Sequence, residues 1–187
     1  MKKDKRKEEW LTGILIGIIL MLLLTVKAIA APVNSPEDAE REKAMAYLSE
    51  NQVEIPEEVE YWCEYYGEQY DICPETIEAI CWVESRCTPT AQDASKACKG
   101  LMQIKPTCHR DRMNRLDVQN IFGIRENIKV GTDYLAELGG TEDIAVSLAI
   151  YNGQSEQAIE RTRQGEYTGY VKKVLTLSAA LERDHGK

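Results

Sequence analysis

Hydrophobic and polar positions divide this chain into three regimes. From Trp10 to Val26 no residue is charged, and the stretch Ile14 to Leu24 is apolar on every side. That length lies at the lower edge of the roughly 17–25 residues that cross a bilayer as a helix. Lys2, Lys3, Lys5, Arg6 and Lys7 precede it, which predicts an N-terminus held in the cytoplasm. Ala28-Ile29-Ala30 has the small-x-small pattern of a signal-peptidase site, so the run reads either as a retained single-pass anchor or as a removed leader. Both readings place residues 32–187 outside the cytoplasm.

The second regime, residues 32–54, opens on Ser35-Pro36-Glu37-Asp38. A hydroxyl cap, a proline in the first turn and acids beside it predict a helix start. The helix runs to about Glu50, carries few apolar positions, and reads as a spacer or lid rather than core. The third regime begins at Ile55, where apolar and aromatic residues become denser. Pro56-Glu57-Glu58 opens a helix bearing Val59, Trp62, Cys63 and Tyr66, and Pro74-Glu75 opens another that runs to about Glu84. An irregular stretch, Ser85 to Gly100, follows. Helices are then predicted over Glu126–Leu138, stopped by Gly139-Gly140, and over Glu142–Tyr151, stopped by Asn152-Gly153. A short one near Ser155–Arg163 and a last one over Tyr167–Glu182 complete the set. No strand alternates convincingly and no repeat is visible, which argues against sandwiches, propellers and solenoids. The expected fold is mainly α, with at most a small irregular β region between Thr88 and Gln119. The chain therefore divides into 1–31, basic leader and membrane segment; 32–54, helical spacer; and 55–187, one folded domain.

Charge narrows the list of partners. The chain carries −8 at neutral pH, and without its basic leader the remainder is more acidic still, so phosphate backbones repel it and nucleic acid is not an expected partner. Cys63, Cys73, Cys81, Cys87, Cys98 and Cys108 fall within one stretch, and the rest of the chain has none. An even set in an exported segment suggests a disulfide framework, whose pairing the sequence leaves open. Buried free thiols and a zinc site are the competing readings. The second is disfavoured because no Cys-x-x-Cys pair occurs and His109 and His185 are the only histidines. No metal or cofactor is expected.

One residue breaks the hydrophobic pattern in a way that suggests chemistry. On the helix from Pro74, the apolar stripe Ile77, Ile80, Cys81 continues at Glu84. Burial there disfavours the ionised carboxylate, and the negative end of the helix dipole acts in the same direction. A glutamate so placed keeps its proton near neutrality and serves as a general acid. The bland alternative is that Glu84 frays from the last turn into water.

Further blocks follow in order: Gly100-Leu101-Met102-Gln103-Ile104 with Pro106; Asn127-Ile128 through Gly131 to Tyr134-Leu135; Ala149-Ile150-Tyr151-Asn152-Gly153; and Glu166 with Tyr170-Val171. With Glu84-Ser85 at their head, these blocks resemble the lysozyme-like lytic transglycosylases, the family of the soluble lytic transglycosylase and goose-type lysozyme, over about Ile55 to Leu181. The resemblance implies an α+β lysozyme-like fold acting on peptidoglycan glycan strands, with Glu84 as the sole catalytic acid/base. It implies that Gln103 and Met102 line the sugar groove, that Tyr151 and Asn152 face the reacting sugar, and that the Tyr170 hydroxyl positions the Glu84 carboxyl. Core packing is the alternative for Met102, as is a core site with a satisfied hydroxyl for Tyr151 and Tyr170. Gly131 reads as a packing position, since glycine inside a helix costs about 1 kcal/mol relative to alanine.

Ser95 lies one place later than the family serine, with Ala94 at the expected spot, and Ala97-Cys98 replaces a common Gly-Ala pair; no substrate role is carried over to Ser95. The mechanism implied is cleavage between N-acetylmuramic acid and N-acetylglucosamine with a 1,6-anhydro product. The alternatives are a hydrolytic lysozyme that orients water with Asp93 or another loop acid, and an idle glycan-binding scaffold of a cell-envelope machine. Similarity to the small transglycosylases of conjugation and secretion channels implies such an apparatus as a further partner, beside the membrane.

Overall fold

The computed structural model describes residues 36–187; the expected membrane segment and the capping Ser35 lie outside them. From Glu40 onward the chain forms one compact unit. Among the described residues the elements are α1 Pro36–Glu50, α2 Glu57–Tyr70, α3 Pro74–Ser85, α4 Arg110–Arg115, α5 Ile124–Glu137, α6 Ile144–Tyr151, α7 Glu156–Arg163 and α8 Gly169–Asp184. Strand structure is limited to two isolated bridges, Gln92 with Lys99 and Lys99 with Ile104. The fold is mainly α, and its β contribution falls inside the stretch where the sequence leaves room for one. No described helix is long and apolar enough to cross a membrane.

Helix α3 is the centre of the molecule. It packs against α2 on one side and α8 on the other, while α2 also leans on α5, and α6 on α7 and α8. Every residue from Glu75 to Trp82 is buried, so the helix is enclosed all round rather than along one stripe. Its partners supply Val59, Cys63 and Tyr66 from α2, and Val171, Val174, Leu177 and Leu181 from α8. The stop signals Gly139-Gly140 and Asn152-Gly153 follow α5 and α6 as the sequence predicts, and side-chain caps that it did not single out open α6 and α7. The Asp143 carboxylate accepts from the Val146 N–H at 3.1 Å to open α6, and Ser155 does the same for Ala158 to open α7.

Two expectations are corrected. Helix α1 is not purely a spacer, because Ala44 and Leu48 enter the core and Glu40 pairs with Arg183 at 3.0 Å. The disulfide framework does not form: all six cysteines are thiols. Cys63, Cys81 and Cys87 are buried together at the α2–α3 contact, where a small weakly polar side chain packs as a hydrophobe. Desolvation holds the Cys63 and Cys87 thiols well above their ordinary pKa. Cys73 donates to the Glu75 carboxylate at 3.1 Å.

Candidate active site

Glu84 sits in the last turn of α3, which ends because Arg86 and then Cys87 adopt left-handed backbone, φ 54° and 52°. Non-glycine residues in that region carry strain of order 1–3 kcal/mol and gather where surrounding structure over-determines a functional loop. Gln103 does the same at φ 48°. The Glu84 side chain is half-buried, not frayed into water, and its Oε1 accepts a hydrogen bond from the Tyr170 hydroxyl at 2.8 Å. Burial raises its pKa above the ordinary carboxyl value, and the Tyr170 donor, which favours the ionised form, offsets this only in part. The carboxyl charge in turn reinforces desolvation in raising the pKa of Tyr170 and of Tyr151, so both phenols stay protonated donors.

The Gly-Leu-Met-Gln block forms a tight turn beside this acid. Gly100 supplies φ +78°, and a Cβ there would lie 2.2 Å from Asn127 Nδ2, so both the backbone conformation and the close approach require glycine. Asn127, fully buried at the start of α5, holds the turn from inside: its Oδ1 accepts from the Met102 N–H at 2.8 Å. Its Nδ2 donates to the Lys99 and Ile121 carbonyls at 2.9 and 2.7 Å. From the other side the Tyr151 hydroxyl donates to the Met102 carbonyl at 2.8 Å. The backbone of Met102 is thereby held between α5 and α6.

Glu84, Tyr170, Tyr151 and the Met102–Gln103 turn therefore belong to one site. Gln103 is half-buried and its amide closes its own turn, donating to the Gly100 carbonyl at 2.9 Å. Asn152 is exposed at the end of α6. Met102 departs from the groove-lining role: its side chain is wholly buried and fills the space over Gly131, where an added Cβ would sit 2.3 Å from its sulfur. The packing alternative describes its thioether, and only its backbone faces the site.

Asp93 is exposed and serves its own loop. It accepts from the Ser95 hydroxyl and backbone N–H and from the Cys98 N–H. These donors, Ser95 first, lower its pKa. Among the described residues no group of three or more His, Cys, Asp or Glu is disposed to hold a metal.

Two features carry no role in the sequence reading. Asn127 belongs to a quoted block, and the signal that would have found it is the one that found Glu84, a polar residue on the buried stripe of an amphipathic helix. The other is a cluster around Asp133, which is 7% exposed. It accepts from Arg112 at 2.8 Å, Arg115 at 2.7 Å and Tyr70 at 3.0 Å. Desolvation works against its charge, and these donors outweigh it, so its pKa is lowered.

The family described as the transglycosylase SLT domain matches residues 61–170, more than half of the chain. The chain belongs to that family. The match covers Glu84, the turn at Gly100–Ile104, the Asn127–Gly131 stretch, Tyr151 and Tyr170, so the contacts that build the site lie within the SLT domain. No curated protein matches the sequence. SLT membership carries a lytic transglycosylase-type function directed at peptidoglycan.

Proposed function

We infer that this SLT domain cleaves the β-1,4 bond between N-acetylmuramic acid and N-acetylglucosamine and leaves a 1,6-anhydro end, with Glu84 acting first as acid and then as base. The observation that carries this reading is the Glu84 carboxyl itself, half-buried, raised in pKa and held by one phenolic donor. Protonated, it delivers its proton to the bridging oxygen as the C–O bond breaks, while the substrate's acetamido group assists at the anomeric carbon. Ionised, it takes the proton of the sugar's 6-hydroxyl, whose oxygen closes the anhydro ring, and the starting state returns. Tyr170 holds the carboxyl in position and stabilises its charge between the two steps.

This departs from the usual pair of carboxylates flanking a glycosidic bond. Asp93, the acid nearest in sequence after Glu84, has its oxygens engaged within its own loop. Gln103 and Asn152 supply amides for the sugar's hydroxyl and acetamido groups.

The same reading holds that residues 1–31 place the domain at the outer face of the cell membrane, and that a tethered enzyme opens the wall locally for a conjugation or secretion apparatus. Protease accessibility of the domain in spheroplasts tests the first point, and channel assembly in a deletion strain tests the second.

The test of the chemistry is product analysis on purified sacculi with the wild type and Glu84→Gln side by side. Anhydro muropeptides, lighter by one water than reducing ends, are expected from the wild type only. Reducing ends from the wild type would replace the transglycosylase by a hydrolase. Unchanged lysis by Glu84→Gln would remove Glu84 from its role, and binding without lysis by the wild type would leave a scaffold.

A further inference from the structure

We propose that the groove formed by α4 and the loop before it is a second subsite, which takes the acidic peptide carried by the muramic acid residues of the glycan. The inference rests on the reading above that this domain acts on peptidoglycan strands.

The first observation is charge. Between Lys96 and Arg115 the chain holds six lysines and arginines and the single acid Asp111, in a protein whose total is −8. Arg112 and Arg115 are neutralised by Asp133 and Glu137. Lys105 and Arg110 are exposed and make no ion pair among the described residues. They form a cationic edge that the fold itself does not use.

The second observation is shape. An open groove of 330 Å³ is floored by Pro106, Met113 and Val118 and edged by Arg110, Asn114 and Gln119. Apolar floor, two primary amides and a guanidinium together match a short peptide of small apolar residues with free carboxylates. The methyl groups of its alanines meet the floor, its amides pair with Asn114 and Gln119, and a carboxylate meets Arg110. A strand stripped of its peptides keeps acetyl and lactyl methyls and one lactyl carboxylate per muramic acid, all on the strand itself, but lacks the alanine methyls, peptide amides and further carboxylates that reach a groove beside it.

The third observation is continuity with the active site. Lys105 follows Gln103 by two residues, and the next residue, Pro106, already lines the groove. A ladder of rings leads the same way: Tyr151 to Tyr134 at 5.4 Å between centroids, Tyr134 to His109 at 4.5 Å, with the Arg112 guanidinium 4.8 Å over Tyr134. Arg112 also bonds His109 at 2.6 Å, and together with burial its charge lowers the His109 pKa. These contacts tie His109 and Arg112, which flank Arg110 of the groove, to Tyr134 and through it to Tyr151 of the site.

The test compares intact sacculi with the same glycan stripped of peptides by an amidase, using full-length protein and the double variant Lys105→Gln/Arg110→Gln. The expected result is that the variant loses about fivefold in kcat/KM on intact sacculi, roughly 1 kcal/mol, chiefly through KM, and nothing on stripped glycan. Equal loss on both substrates, or loss on neither, overturns the proposal. Co-sedimentation of Glu84→Gln protein with each substrate, with and without the two substitutions, reads the same preference without turnover. Selective binding to intact sacculi that the substitutions abolish supports the groove even where no cleavage is seen. An absence of cleavage in every arm counts against the catalytic reading alone, and binding that does not distinguish the substrates counts against the groove alone.

Discussion

Gly131→Ala puts the coupling between the α5 packing position and the active-site turn to a quantitative test. Alanine is favoured over glycine in a helix interior by about 1 kcal/mol, so on propensity alone the substitution stabilises. The structure reverses the sign. A Cβ at position 131 would lie 2.3 Å from Met102 Sδ, 2.7 Å from Cε and 3.1 Å from Cβ. The far end of a methionine yields cheaply only where it has room, and Met102 is wholly buried, with its N–H tied to Asn127 and its carbonyl to Tyr151. Overpacking of this kind costs about 1–3 kcal/mol, so after the propensity gain the net expectation is a loss of up to about 2 kcal/mol. Activity falls with it, because relief of the clash moves the backbone next to Gln103.

Urea denaturation of four proteins, wild type, Gly131→Ala, Met102→Ala and the double variant, isolates the effect. Met102→Ala alone costs about 2–5 kcal/mol through the cavity it leaves, but it removes the sulfur and methyl that the new Cβ strikes. In that background Gly131→Ala is expected to stabilise by up to about 1 kcal/mol, giving a coupling energy of roughly 2 kcal/mol between the two positions. A Gly131→Ala protein more stable than wild type, or a substitution with the same sign in both backgrounds, refutes the argument.

Asn127→Ala leaves the Met102 N–H and the Ile121 carbonyl without partners, while the Lys99 carbonyl keeps the Ile104 N–H, and a loss of about 3 kcal/mol is expected in thermal or urea unfolding. Tyr170→Phe removes the one donor that favours ionised Glu84, so the Glu84 pKa rises further. In the proposed mechanism the protonated acid starts the reaction and activity is lost as pH climbs through that pKa, so the alkaline limb of the pH–rate profile moves to higher pH, with the plateau down about tenfold; movement to lower pH would contradict the assignment. Glu78, whose carboxyl is pushed up to about 8 from an ordinary value of 4.5, makes the fold most stable below that ordinary value and progressively less so as pH rises to 8. The span is at most about 5 kcal/mol at roughly 1.4 kcal/mol per unit. Glu78→Gln removes the decline, which unfolding at pH 5 and at pH 8.5 measures directly.

Several helices were readable because they begin or end on local chemistry, such as Pro74 at the head of α3, Gly139-Gly140 after α5 and Asn152-Gly153 after α6. Helix α4 was not, since Arg-Asp-Arg-Met-Asn-Arg has no apolar period and is held by Arg112 and Arg115 reaching Asp133 across the fold. Long-range ion pairs leave no spacing signal. The same limit hid which side of its own backbone Met102 presents to the site, because an apolar residue in a loop fits a groove and a core equally well. Cysteine number and density spoke for disulfides, yet three of the six pack side by side in the interior. Adjacency of that kind is a property of the α2–α3 contact and not of either helix alone.

Helix α3 also shows why a perturbed carboxyl is insufficient to mark a catalytic acid. It carries Glu75, Glu78 and Glu84, and desolvation is the largest influence on each. Glu75 nevertheless ends at about 2, because Lys187, Cys73 and His185 all donate to it and together overcome burial. Glu78, 1% exposed with Oε2 unpartnered, has only the charge of Lys187 to set against burial and the neighbouring carboxylates Glu75 and Glu60, and rises to about 8. By magnitude alone Glu78 would be the better proton donor. It has no route to a substrate, being sealed among α2, α3 and α8, and its shift is a cost to the fold. Glu84 is raised in the same direction but keeps an open face, and its one hydrogen bond comes from a phenol, which supports the carboxylate after the proton leaves without forcing it off beforehand. What fits Glu84 to the proposed role of acid is therefore the combination of partial exposure with a single neutral donor, a combination that belongs to the last turn of α3 and to none of the turns before it.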